Sequence, residues 1–111
     1  MQNLKHKESR QFSRKSIKWP AIIKHSGNIF RVTTLNISEA GVLVESPIKL
    51  RIGQQVSLMI KGHHNGDKMT IYAKSQIKHV VVKLYNFQLG IEFIEMSKAA
   101  RTFIAKFIEG L

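Results

Sequence analysis

Cysteine is absent from all 111 residues, which excludes disulfides, thiolate metal sites and thiol chemistry of any kind. Acidic residues are scarce. Seven Asp and Glu stand against eighteen Lys and Arg, so the formal net charge is +11 and the pI about 10.3. Long apolar runs are missing as well: no window approaches the roughly 18 apolar residues that span a bilayer, and the N-terminal MQNLKHKESRQFSRK lacks the apolar stretch of a signal peptide. What these shortages leave is a soluble chain, compatible with a reducing cytosol and with no membrane insertion, that meets an anionic partner. Nucleic acid, a nucleotide and an acidic membrane surface are the candidates.

What is present folds. Hydrophobic residues make up 43% and charged residues 23%, an ordinary globular balance, and the length allows one core. Residues 1–18 are the exception. They hold Lys5, Lys7, Arg10, Arg14, Lys15 and Lys18 against Glu8 alone, a local net of +5, with little apolar content before Phe12, and read as a mobile basic arm. The domain proper is set at residues 9–111, with residues 1–8 as flexible lead-in, the barrel over about 17–94 and a helix over about 97–110.

From Ile17 onward, short runs rich in Ile, Val, Phe and Thr are broken by Gly, Asn, Ser or Pro, the rhythm of an antiparallel β domain. Strands are expected over residues 19–25, 29–35, 42–44, 55–61, 69–82 and 87–94, with a tight hairpin at Ser26-Gly27-Asn28 and a polar turn over 62–67. Six strands with short turns suggest a small closed barrel, which removes exposed edges. The period then changes. Ser97 can cap a helix in which Ala100, Phe103, Ile104, Phe107, Ile108 and Leu111 form one stripe, either lidding the barrel or binding a partner. The fold class is therefore mainly β: a six-stranded antiparallel barrel with a C-terminal amphipathic helix.

Material for catalysis is poor. Glu8, Glu39, Glu45, Asp67, Glu92, Glu95 and Glu109 are scattered, and neither a G-x-S-x-G elbow nor a phosphate-binding Walker loop occurs. No enzyme is expected. His63-His64 falls in the polar turn and His79 on a strand; adjacent strand residues point to opposite faces, so shared metal ligation is not expected either.

Two short patterns stand above this background. Arg10-Gln11-Phe12-Ser13-Arg14 places two guanidiniums four residues apart, able to pair bidentately with phosphates and to stack on purines, or else simply a solvated charged tail. Asn36-Ile37-Ser38-Glu39-Ala40-Gly41 reads as a polar turn between two strands, with Asn36 and Ser38 on one face and Gly41 permitting a sharp turn and close approach to a ligand. Asn36 offers a donor and an acceptor, Ser38 a hydroxyl, and the turn amides a small anion nest; an Asx-type turn that merely joins strands is the alternative.

Taken in order, R-x-x-x-R in a basic arm, then a strand, then [D/N]-x-S-x-x-G resembles the PilZ domain family of bacterial cyclic di-GMP receptors. Leu89-Gly90-Ile91-Glu92-Phe93 is similar to the family's late-strand G-[I/V]-x-F signature. The resemblance implies a six-stranded barrel with a terminal helix, in agreement with the strand count. It implies that Arg10 and Arg14 grip the phosphates and stack on the guanines of cyclic di-GMP, while Asn36, Ser38 and Gly41 contact a guanine and the ribose-phosphate ring. It further implies no cofactor beyond that ligand, no DNA or RNA partner, a bacterial cytoplasmic setting, and an output through an unidentified effector protein in motility or exopolysaccharide control. Asn36 stands where Asp is commoner. The rival readings are a small basic nucleic-acid-binding barrel, for which aromatics on an exposed strand face are lacking, and a ligand-free adaptor of the same fold.

Overall fold

Period-two alternation builds the sheet. In the computed structural model, which describes residues 13–110, Ile71, Ala73, Ser75 and Ile77 of one strand are buried while Thr70, Tyr72, Lys74 and Lys78 are exposed. Seven strands follow in chain order: β1 (Lys15–Ser16), β2 (Pro20–His25), β3 (Asn28–Ile37), β4 (Gly41–Ser46), β5 (Gln55–His64), β6 (Asp67–Val82) and β7 (Phe87–Met96). One helix, α1 (Lys98–Glu109), ends the fold. All pairings are antiparallel, in the order β3-β2-β5-β6-β7-β4, and β4 pairs back onto β3 to close a six-stranded barrel. Closure leaves no long free edge in a chain rich in Ile and Val.

The seventh strand corrects the sequence reading. Lys15 and Ser16, expected in a mobile arm, pair with Ile37 and Asn36 of β3, and Ile17 N donates to Leu35 O at 3.0 Å. The arm is therefore anchored to the barrel from Lys15 onward, and residues 1–12 lie outside the described residues.

Strand β5 also runs further than expected. Gly62, His63 and His64, read as part of a polar turn, continue the ladder opposite Met69, Lys68 and Asp67, and the turn is Asn65-Gly66. The reason for Gly62 is packing rather than turning: a Cβ there would lie 3.0 Å from Phe103 Cε1 and 3.1 Å from Trp19 Cζ3. Trp19 sits in that space, 4% exposed, with its ring 4.6 Å from that of Phe107 and 6.0 Å from that of Phe103.

Helix α1 thus caps the barrel end. Ser97 Oγ accepts from Ala100 N at 3.1 Å, Gly110 closes the C-terminus in the left-handed region, and Ala100 and Ile104 are buried with Phe103, Phe107 and Ile108 packed beside them. Leu111, assigned to the same stripe, lies outside the described residues.

Candidate functional site

The site begins with an irregularity in β3. Thr34 pairs with Val44, yet the next pairing along is Asn36 with Leu43, so Leu35 is the extra residue of a bulge. In phase, Asn36 would follow the buried Val32 and Thr34 into the core. The bulge shifts the alternation by one: Ile37, fully buried, takes the inward place, and Asn36 turns to the outer face. There Asn36 Oδ1 accepts a hydrogen bond from Arg14 Nη1 at 3.0 Å. The two sequence patterns therefore meet through one residue of each. Arg10 lies outside the described residues.

Ser38 is buried in this arrangement, which corrects the placement of Asn36 and Ser38 on one face. Ser38 is 1% exposed, and its Oγ accepts from Ala40 N at 3.1 Å and from Gly41 N at 3.2 Å. Ser38 N donates in turn to Gly41 O at 2.8 Å. The hydroxyl therefore holds the turn closed, satisfying two amides that would otherwise form part of an open nest. Gly41 is required by a neighbouring strand: it pairs with Glu92, and a Cβ on it would run into the Ile91 carbonyl oxygen of β7. Its Cβ direction points at β7, and the residue also lines a cleft on the outer surface.

Between β3, β4, β7 and β6 the outer surface dips into a cleft of about 430 Å³ whose wall includes Arg14, Asn36, Gly41, Lys78, His79 and Glu92. Its volume falls within the range of small-molecule sites. Sequence reasoning did not assign Lys78 to any site, and it weighed His79 only as a metal ligand. Lys78 faces outward in the alternation of β6, and His79 joins it because β6 carries its own bulge there, Ile77 pairing with Ile91 but His79 with Gly90, which leaves Lys78 as the extra residue. His79 lies over Gly90, where a Cβ would be 3.1 Å from the ring. The G-x-E-F run around Gly90 was the one available signal, and it marks a flat strand surface without saying what lies on it.

Charge in the cleft is mostly positive. Arg14 is exposed, and Lys78 Nζ is 3.7 Å from Glu92 Oε1 in a pair that is about half exposed on both sides. Such a solvated pair contributes little to stability but partly offsets Lys78 as an anion-binding group. Arg14 and Lys78 can take an anion, and Asn36 can read a polar edge. Among the described residues no group of three or more His, Asp and Glu is placed to hold a metal ion, and no helix is long and apolar enough to cross a membrane.

The foot of the arm also reaches the helix. Lys15, next to Arg14, donates from Nζ to Phe107 O at 3.0 Å and lies 4.7 Å from the centre of the Phe107 ring. One dipeptide thus touches the cleft on one side and the helical cap on the other.

A closed six-stranded antiparallel barrel, capped by a C-terminal helix and bearing an arginine-asparagine cleft on its outer wall, defines a small helix-capped barrel domain. The PilZ domain model matches residues 8–110, and the chain belongs to the PilZ domain family. Solved structures agree in fold. The Bacillus subtilis inhibitor of motility MotI/DgrA superposes with a TM-score of 0.82 at 15% identity, over 90% of this chain and 49% of its own. YcgR from Escherichia coli in complex with c-di-GMP superposes at 0.74 and 15%, over 90% and 44%. The isolated YcgR PilZ domain with c-di-GMP superposes at 0.70 and 15%, over 92% and 90%. The chain therefore spans about half the length of MotI and of whole YcgR. No curated protein matches it in sequence.

Proposed function

We propose that this chain is a receptor for cyclic di-GMP rather than an enzyme. The observation that carries the reading is the Arg14–Asn36 hydrogen bond, because it joins the two family motifs at the mouth of one cleft. A neutral acceptor on an arginine is readily exchanged for a phosphate, which carries the opposite charge and can pair with the guanidinium bidentately. Arg14 and Arg10 take the two phosphates and stack on the guanines, Asn36 accepts and donates at a guanine edge, and the glycines at 41 and 90 leave the wall flat enough for a base. Ser38 keeps the turn in shape. Two solved relatives, YcgR and the Borreliella burgdorferi PlzA protein, are complexes with c-di-GMP, which supports the ligand class.

The output of binding runs through the arm. Movement of Arg14 onto a phosphate acts on Lys15 and thereby on its contacts with Phe107, so occupancy of the cleft is reported at helix α1, where an effector protein reads it. Motility is the theatre suggested by MotI, an inhibitor of motility. Isothermal calorimetry with cyclic di-GMP tests the reading: saturable binding that Arg14→Ala removes is expected, and no heat at high micromolar ligand refutes it.

A further inference from the structure

Among the described residues, six of the nine large apolar side chains that remain exposed occupy two adjoining segments at the barrel end opposite helix α1. Ile48 and Ile52 lie in residues 47–54, and Val81, Val82, Leu84 and Tyr85 lie on the β6–β7 hairpin, where Leu84 is 84% and Tyr85 91% exposed. The segments adjoin because Ser46 pairs with Phe87, which also pairs with Val82 across the hairpin.

This exposure is held in place by hydrogen bonds. Ser46 Oγ donates to Ile48 O at 2.7 Å and accepts from Ile48 N at 3.0 Å; Gln54 N donates to Arg51 O at 3.1 Å; Lys83 N donates to Asn86 O at 2.9 Å across the tip. Apolar groups fixed outward on ordered turns mark a contact surface.

The charge around them is mostly positive; half-buried Glu45 lies opposite Gln88, which pairs with Val81. Lys49, Arg51 and Lys83 are exposed in the same two segments, and the single acidic residue from Ser46 to Ile91 is Asp67, at the opposite end of the barrel beside the Asn65-Gly66 turn. Leu84 and Tyr85 stand exposed at the hairpin tip, with Lys83 next to them in the chain and Lys49 and Arg51 in the adjoining segment.

We propose that this barrel end is a peripheral docking surface for an anionic lipid bilayer. Leucine, valine and isoleucine enter the acyl boundary, tyrosine settles at headgroup depth, and Lys49, Arg51 and Lys83 meet lipid phosphates. A fluid interface moulds itself to an exposed hairpin tip and presents phosphates to the cations and acyl chains to the apolar groups together. The surface is separate from the cleft and stands whether or not the cleft binds a nucleotide.

Co-sedimentation of the full chain with sucrose-loaded vesicles is the test, using phosphatidylcholine alone or with about one-third phosphatidylglycerol. Pelleting is expected with the anionic vesicles only, and Leu84→Ser/Tyr85→Ser should weaken it about tenfold while the thermal melt stays unchanged. Tyr85→Trp gives an independent readout, with emission shifting to the blue on anionic vesicles. Absence of pelleting, full retention of it in the double variant, or unchanged emission from the Tyr85→Trp variant overturns the proposal. So does a wild-type dimer that the double variant dissolves, which would assign the patch to a second copy of the chain.

Discussion

Arg14 and Asn36, twenty-two residues apart in sequence, are joined by a single exposed hydrogen bond of 3.0 Å. Asn36 is available for it because the Leu35 bulge turned it outward, and Arg14 reaches it because Lys15 and Ser16 are paired alongside the same stretch of β3. A motif in the arm and a motif in the barrel thus share one patch before any ligand arrives.

Arg14→Ala should leave the unliganded protein nearly as stable as wild type, within about 0.5 kcal/mol, because only a solvent-exposed bond is lost. It should abolish the thermal stabilisation expected from cyclic di-GMP, which for wild type should be about 2.7 kcal/mol at a hundredfold excess of ligand over Kd. Differential scanning fluorimetry with and without ligand reads both. Arg14→Lys should also lose most of the shift, since an ammonium cannot pair bidentately or stack.

Ser38→Ala makes the opposite demand. Two turn amides lose their acceptor in a buried position, so the unliganded protein should lose about 1–3 kcal/mol, measured from urea midpoints. A variant that melts like wild type and yet fails to bind would give Ser38 a ligand contact instead of the structural task seen in the turn.

Gly41→Ala should cost more than an ordinary glycine substitution, at least about 1–3 kcal/mol, because the new methyl meets the backbone of β7 and no flexible side chain can yield. Gly90→Ala should be milder, since its neighbour is the His79 ring. Chemical denaturation of the two variants side by side ranks them.

Lys78 and Glu92 should act on ligand affinity with opposite signs. Lys78→Gln removes a cation from the cleft wall and should weaken binding severalfold, while Glu92→Gln removes the nearby carboxylate and should strengthen it by a similar factor. Both effects should shrink with added salt, because the pair is half exposed. Calorimetry at two ionic strengths checks the sign and the screening together.

Local pattern carried most of the fold. The period-two runs, the turn glycines and the Ser97-capped stripe are each decided by a few neighbouring residues, so strands and helix could be placed to within a few positions. Strand β1, read as mobile arm, and Gly62 were exceptions: the polar surroundings of Gly62 resemble a turn, and only the rings of Trp19 and Phe103, distant in sequence, show that it is a strand residue kept small for packing. For the cleft, residue types at motif spacing named Arg14, Asn36, Ser38 and Gly41, but spacing cannot say which way a side chain points.

The sequence by itself determined that this basic, cysteine-free chain closes one barrel, that a helix of changed period follows, and that an arginine pair and an Asn-x-Ser-x-x-Gly run accompany it. Those are consequences of local sterics and of burying one face of each element. The tertiary structure alone decided that Asn36 faces outward and Ser38 inward, that Lys78 and His79 complete the cleft, and that Lys15 ties the arm to Phe107. The outward turns of Asn36 and His79 depend on bulges in β3 and β6, and a bulge is fixed by how two strands register against their partners, which no single strand encodes.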